Sequence, residues 1–244
     1  MISVLLCVKN GGPFIAETIE SVLNQTYKNF ELIIIVNCST DNTLQVIKQF
    51  EDQRIRVYET NIGQLSFNLN LALSKSKGEY IARIDADDIA MPERFEKQLR
   101  VLEDHNYDIV GSNLEYINGK GVVIGQRVLP EDNVTIRNKI YYKSVLAHPT
   151  IFARKSVLLD NNGYLGGRFA QDYDLWLRVM RDKNIKFHNI QEPLLQYRIH
   201  SDQSKGNPYS FAEVAGYLFK ESIYSKSLKY FIGSFVYYLK ALLK

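Results

Sequence analysis

Glu79-Tyr80-Ile81-Ala82-Arg83-Ile84-Asp85-Ala86-Asp87-Asp88 is the stretch that decides how this chain folds. Its first half has the apolar, β-favouring content of a buried strand, and it runs directly into a cluster of carboxylates. Three aspartates within four residues repel one another unless a cation neutralises them. Mg2+ or Mn2+ prefers such hard oxygen ligands, and commonly binds one or two carboxylates while phosphate oxygens complete its shell. A short acidic motif is equally the pattern of a solvated turn, here one capping a helix after Pro92 with Asp88 near the cap. Its place at the end of a strand, within an α/β pattern, favours the ligand-bearing reading.

Upstream, that pattern repeats. Val4 to Val8 reads as a strand and is followed by Asn10-Gly11-Gly12-Pro13. Pro13 suits the first turn of a helix carrying Ile15, Ile19, Val22 and Leu23 on one face. Glu31 to Val36 is a second strand, and Ser39-Thr40-Asp41 offers capping oxygens before Leu44, Ile47 and Phe50. Arg54 to Tyr58 and the helical positions Leu65, Leu69 and Ala72 complete a third unit. Such alternation predicts an α/β fold with a mostly parallel sheet covered by helices, whose ligands bind beyond the carboxyl ends of the strands. Lys9-Asn10, Asn37-Cys38-Ser39 and Asp85 to Asp88 all fall at those ends, which points to a nucleotide-like ligand. A dinucleotide-binding oxidoreductase is excluded at the first turn, because Asn10-Gly11-Gly12-Pro13 is not G-x-G-x-x-G.

The second half is less regular. Pro92 is expected to open a helix with Phe95, Leu99 and Leu102, and Ile109 to Tyr116 to return as a strand ending in a hairpin turn at Asn118 to Gly121. Ile151 to Ala153 reads as a strand and Tyr173 to Arg181 as a helix, with Asp172 near its N-terminus. The 244 residues suffice for one large domain, 45% hydrophobic and 23% charged content is that of a folded protein, and a formal charge of +3 with no Lys/Arg stripe argues against nucleic acid. Two cysteines, Cys7 and Cys38, give no disulfide framework and favour a reducing compartment. Ile2 to Val8 fits a first strand better than a signal peptide, and no run is long and apolar enough to span a bilayer.

Taken in order, these segments resemble the family 2 glycosyltransferases of the GT-A fold, over nearly all of residues 1–200. The resemblance is carried by Ser3-Val4-Leu5-Leu6 with Asn10, Ile19 to Thr26, Ser39 to Thr43, Asn61-Ile62-Gly63, Lys77 to Ile81 and Asp85 to Asp88 with Met91-Pro92. Further on come His148-Pro149-Thr150, Asp172 to Trp176 and Tyr197-Arg198-Ile199-His200. It implies an inverting transferase that moves a sugar from a nucleotide diphosphate to a glycan or lipid-linked acceptor in cell-surface polysaccharide synthesis. Residues 1–100 would bind the donor and residues 101–200 the acceptor.

The resemblance assigns Asp87 to a divalent cation, Mn2+ or Mg2+, with His200 completing the metal or diphosphate site. Asp85 would lie nearer the ribose. Cys7, Lys9, Asn10, Asn37, Asn61, Arg83 and Ala86 are the other expected contacts to the nucleotide sugar. Asp172 matches the family's catalytic base, although an aspartate there is also a common helix cap, with its pKa lowered by the helix terminus. His148 is expected to shape the acceptor side, and Trp176 to pack in the core. The chain departs from the family's usual pattern at Cys7 and Lys9, at Val36-Asn37-Cys38 where relatives often have Asp-Asp-Gly, and at Gln171 where they often have Glu. Asn37 can accept from the imide N–H of uracil and donate to a neighbouring oxygen, which favours UDP over GDP. A Cys7–Cys38 disulfide is conceivable on neighbouring strand ends, but the compartment argues against it. The competing expectation is an inactive nucleotide- or sugar-binding module, against which the retention of Asp85, Asp87 and Asp172 counts.

Residues 209–244 form an aromatic helical tail, with Val214, Leu218, Leu228, Phe231, Phe235 and Leu239 at helical spacing and Lys220, Lys226, Lys229, Lys240 and Lys244 interleaved. It would either pack on the catalytic domain or a second subunit, giving a homo-oligomer, or lie at an anionic membrane surface. Peripheral membrane contact through 211–244, at the cytoplasmic face of the cell membrane, is the expectation carried forward.

Overall fold

A computed structural model describes residues 1–200 and 207–243. The parallel units are β1 (Ile2–Val8), α1 (Ile15–Leu23), β2 (Phe30–Asn37), α2 (Thr43–Ile47), β3 (Ile55–Thr60), α3 (Leu65–Lys75) and β4 (Tyr80–Asp85). After the acidic turn come β5 (Ile89–Ala90), α4 (Arg94–Asp104), β6 (Ile109–Ile117), β7 (Val123–Arg127) and α5 (Asn133–Lys139). The chain continues through β8 (Phe152–Arg154), α6 (Lys155–Asp160), α7 (Gln171–Val179), β9 (Phe187–Arg198), α8 (Pro208–Ser225) and α9 (Leu228–Leu242).

One sheet runs through the molecule in the order β3-β2-β1-β4-β8-β6-β9-β5, with β7 added to β6. The four strands from β3 to β4 are parallel, as the alternation predicts. Beyond β4 the sheet is mixed: β8 runs antiparallel to both β4 and β6, whereas β9 runs parallel to β6. Strands β1 and β2 are almost wholly buried because both faces of the sheet are covered. The period of two sorts their side chains. Val4, Leu6 and Ile34 join Ile15, Ile19 and Phe95 on one face, while Leu5, Ile33 and Ile35 join Leu69, Trp176 and Leu218 on the other. Burying each such side chain contributes roughly 1.5–3 kcal/mol.

Local corrections have physical causes. Pro13 and Pro92 each precede the helix cap, at Phe14 and Glu93, and so lie outside the first helical turn. The start of α4 is instead held by Gln25, whose Oε1 accepts from Phe95 N–H at 3.0 Å while its Nε2 donates to the Met91 carbonyl at 2.7 Å. Asp88 is not a cap: it is fully buried and accepts from the Arg198 N–H at 3.0 Å. Gly78 is required because a Cβ there would stand 2.7 Å from the Met1 carbonyl and the Ser3 nitrogen, where the chain edges past β1. The stretch from Ser201 to Pro208 is rich in turn-forming residues, as suits a boundary before the tail, and residues 201–206 lie outside the described residues. The tail is a helical hairpin, and Val214, Leu218 and Tyr237 belong to the same core as α7.

Candidate active site

Because β1 lies between β2 and β4, the loops after these strands converge. Asn10 adopts left-handed backbone (φ 53°) and is locked there by the second loop. Its N–H donates to Ser39 Oγ at 3.0 Å, and its Oδ1 accepts from Thr40 N–H at 2.8 Å. Gly11 and Gly12 donate to Thr43 Oγ1 and Asp41 Oδ2 at 2.9 and 3.0 Å. The residues read as caps of α2 thus tie two strand-end loops together, although Asp41 also accepts from Thr43 N–H.

The acidic turn faces these loops across a cavity of about 530 Å3 lined by Cys7, Lys9, Asn10, Phe14, Asp87 and His200, among others. Asp85 and Ala86 also line it, whereas Asn37 and Asn61 do not. Asn37 is buried at the end of β2 with no hydrogen bond to its Oδ1 among the described residues, and Asn61 is exposed. Cys7 and Cys38 are free thiols. Burial pushes the Cys7 thiol up to about 12, so it lines the cavity as a neutral group.

His200 reaches the acidic turn because of a pairing that sequence periodicity does not reveal. Strand β5, directly after Asp88, runs antiparallel to Leu195–Gln196 of β9. This brings His200 Nε2 to 2.9 Å from Asp87 Oδ2. Arg198, two residues earlier, is almost fully buried and donates from Nε to the Asp87 carbonyl at 2.9 Å and from Nη1 to the Asn118 carbonyl at 3.3 Å. Its guanidinium pairs with Glu17 and lies 4.7 Å from the centre of the Phe14 ring. Arg198 is therefore the clamp that fixes the acidic turn against the strand carrying His200, a role the linear motif does not disclose.

Carboxylate oxygens of Asp85, Asp87 and Asp88 lie within 4.8 Å of one another. Burial, reinforced by mutual repulsion, raises the carboxyls of Asp85 and Asp88, and Asp88 Oδ2 has no hydrogen bond among the described residues. Clustered hard donors with an unsatisfied buried oxygen fit a small divalent cation. Arg83 pairs with Asp85. Burial works against the Arg83 charge, but the Asp85 carboxylate outweighs it and raises the guanidinium pKa.

A second cavity of about 380 Å3 opens on the other side of Asp85 and Tyr197, which line both. Arg83, His148, Gln171, Asp172 and Phe211 contribute to it. Here Asp172 sits in the first turn of α7, preceded by the cap residue Ala170. The helix terminus was expected to lower its pKa, and the outcome is the reverse. Burial raises it, against the backbone N–H of Tyr173 and the charge of Arg83, because desolvation of the carboxylate outweighs both. The loop before α7 is held from α8, where Glu213 accepts N–H groups of Arg168, Phe169 and Ala170 at 2.8–3.0 Å. His148 is buried, contacts Tyr164 Oη at 3.0 Å through Nε2, and has its pKa lowered by burial. Trp176 is buried in the core, as expected.

Residues 3–163 match the family model described as glycosyl transferase family 2. The chain belongs to this family. It is 37% identical to the O-antigen biosynthesis glycosyltransferase WbnJ of Escherichia coli, over 100% of this chain and 97% of that one. It is 31% identical to WfaP of Escherichia coli, a UDP-Glc:alpha-D-GlcNAc-diphosphoundecaprenol beta-1,3-glucosyltransferase, over 86% of this chain and 81% of that one. Among solved structures it is similar to residues 1–349 of TarS from S. aureus in complex with UDP-GlcNAc, with a TM-score of 0.75 at 20% identity. That match covers 91% of this chain and 66% of the TarS fragment, and supports the GT-A-type fold. The protein is a glycosyltransferase.

Proposed function

We propose that this glycosyltransferase transfers a sugar from a UDP-sugar to a hydroxyl of a glycan or lipid-linked acceptor in cell-surface polysaccharide synthesis, at the cytoplasmic face of the membrane. The observation that carries the proposal is the junction of two cavities at Asp85 and Tyr197, one holding the acidic turn and the other Asp172. The donor diphosphate occupies the first, with Lys9 and Asn10 on its loop side, and the acceptor enters the second. Asp87, with His200 beside it, would hold Mn2+ or Mg2+, with Asp85 and Asp88 adding negative charge. That cation supplies electrostatic stabilisation to the departing diphosphate.

Asp172 accepts the proton of the acceptor hydroxyl as its oxygen bonds to the anomeric carbon. The bond from that carbon to the diphosphate oxygen breaks in the same displacement, so configuration inverts. Burial suits Asp172 to this role, because a carboxylate with a raised pKa is a stronger base than an exposed one. Arg83 pairs with Asp85 on the donor side and also lines the acceptor side, which keeps the two carboxylate sites in register. The buried Asn37 carboxamide lies outside the lining of the donor cavity and so does not support the uracil reading. UDP is favoured because WfaP is named for a UDP-sugar donor. With Mn2+ present, UDP is expected to raise the melting temperature more than GDP does. Equal or reversed shifts would remove the pyrimidine assignment.

A further inference from the structure

The α8–α9 hairpin carries an apolar surface that the catalytic reading leaves unused. No other segment of the described chain exposes so many large apolar side chains: Phe219, Ile223, Leu228, Phe231, Phe235 and Leu242 are among them. Between the helices Ala212, Gly216, Phe219, Phe231, Phe235 and Tyr238 line an open groove of about 430 Å3. An exposed patch of this kind marks an interaction surface.

Charge on the hairpin is segregated. Its two carboxylates both face inward: Glu213 accepts the backbone N–H groups of residues 168–170, and Glu221 is buried in a salt bridge with Arg181. Lys226 and Lys229, in contrast, are exposed at the turn between the helices. Lys226 adopts left-handed backbone (φ 51°) where the chain reverses. The outer face thus combines aromatic and aliphatic side chains with positive charge and presents no carboxylate among the described residues. The same helix reaches the acceptor cavity, which Ser210 and Phe211 line.

We propose that this face docks on an anionic phospholipid bilayer, with the aromatic groove entering the interface and Lys226 and Lys229 meeting lipid phosphates. Aromatic side chains flanked by lysines match the headgroup boundary, where apolar burial and electrostatic attraction act together. Among the described residues no helix is long and apolar enough to cross a membrane, so the hairpin lies on the surface and does not span it. The biological sense of the inference rests on the lipid-linked acceptor proposed above, since docking through α8 brings the acceptor cavity to the membrane.

The test is flotation of the full chain with phosphatidylcholine vesicles, with and without phosphatidylglycerol. The protein is expected to float with the anionic vesicles and to be released by salt. Replacing both lysines, as Lys226→Gln with Lys229→Gln, should weaken partitioning about thirtyfold, taking about 1 kcal/mol per lysine near the surface. Phe231→Ser with Phe235→Ser should abolish flotation while leaving circular dichroism unchanged, since both side chains are exposed. Failure to float, or equal flotation with neutral vesicles, would overturn the proposal. So would a wild-type dimer in sedimentation velocity that the phenylalanine variant dissociates, without flotation, because a second copy would then cover the groove. UDP release from the donor in vesicle-free buffer is measured in parallel. Its absence in the wild type would sink the proposed UDP-sugar donor and leave the flotation result standing.

Discussion

The two cavities that meet at Asp85 and Tyr197 are built on different physical grounds. The donor side is made mainly by strand-end loops of the parallel half, with Tyr197 and His200 added from the end of β9. It is stitched by short polar contacts from Asn10 to Ser39 and Thr40 and from Gly12 to Asp41. Its carboxylates crowd together, an arrangement that fits a divalent cation. The acceptor side is made mostly by the mixed half and the hairpin, with Arg83 and Asp85 of β4 at its edge, and its principal group is a single carboxylate made more basic by burial. Topology places the first site, since strands β1, β2 and β4 must end together. Long-range packing places the second, since the loop before Asp172 is held by Glu213 from α8. Each half should therefore fail in its own way when disturbed.

The sharpest break is Asp172→Asn, which should lower the transfer rate by about 10²–10⁴-fold, the usual contribution of a general base, while leaving donor affinity nearly unchanged. The same substitution should raise the melting temperature at neutral pH, because it removes an ionised carboxylate whose burial opposes folding. The sign follows from the raised folded pKa. The penalty is absent at pH below the unfolded value and grows as pH rises through it, so the gain in melting temperature should vanish in acid. Asp87→Ala, on the other side, should reduce transfer by about 10²–10³-fold and abolish the Mn2+ dependence of donor binding, read by calorimetry with and without chelator.

Arg198→Ala should weaken metal-dependent donor binding by about 10–100-fold, as expected for a residue that supports a metal ligand from behind. It should also cost about 1–3 kcal/mol of stability, because the Asp87 and Asn118 carbonyls lose their donor. An unchanged donor affinity would show that the acidic turn holds its shape without the clamp. Transfer rate against pH should show an acid limb above the ordinary carboxylate range, with activity lost as pH falls through the raised Asp172 pKa. In the Asp172→Asn variant that limb should disappear. Smallest of all, Lys9→Ala should weaken donor binding by only about two- to fivefold, since an exposed charge contributes up to about 1 kcal/mol.

How much of this was legible in sequence follows the same division. Val4 to Val8, Glu31 to Val36 and Tyr80 to Ile84 lie almost wholly buried and read as apolar runs broken only by Glu31 and Arg83, so the parallel half and the acidic turn were evident. Strand β9 was not, because Gln191-Glu192-Pro193 interrupts its pattern and its pairing with β6 shifts register around Asn113. Missing β9 hid why His200 approaches Asp87 and why Arg198 is buried. Asp88 looked like a cap from its neighbours in sequence, yet its partner is 110 residues away. The pKa of Asp172 was expected to move down on local grounds, because the helix terminus is visible in sequence whereas the surrounding burial is not. Asn10, expected at the nucleotide, lines the cavity beside the acidic turn, but its side chain is engaged in holding the neighbouring loop.

The most direct test of the division between donor and acceptor sides is paired on Asp172→Asn: calorimetric binding of a UDP-sugar with Mn2+, and turnover of the same donor. Binding within about twofold of wild type, with turnover reduced by about 10²–10⁴-fold, is the predicted result. Turnover near the wild-type rate, or loss of donor binding together with turnover in a folded protein, would contradict it.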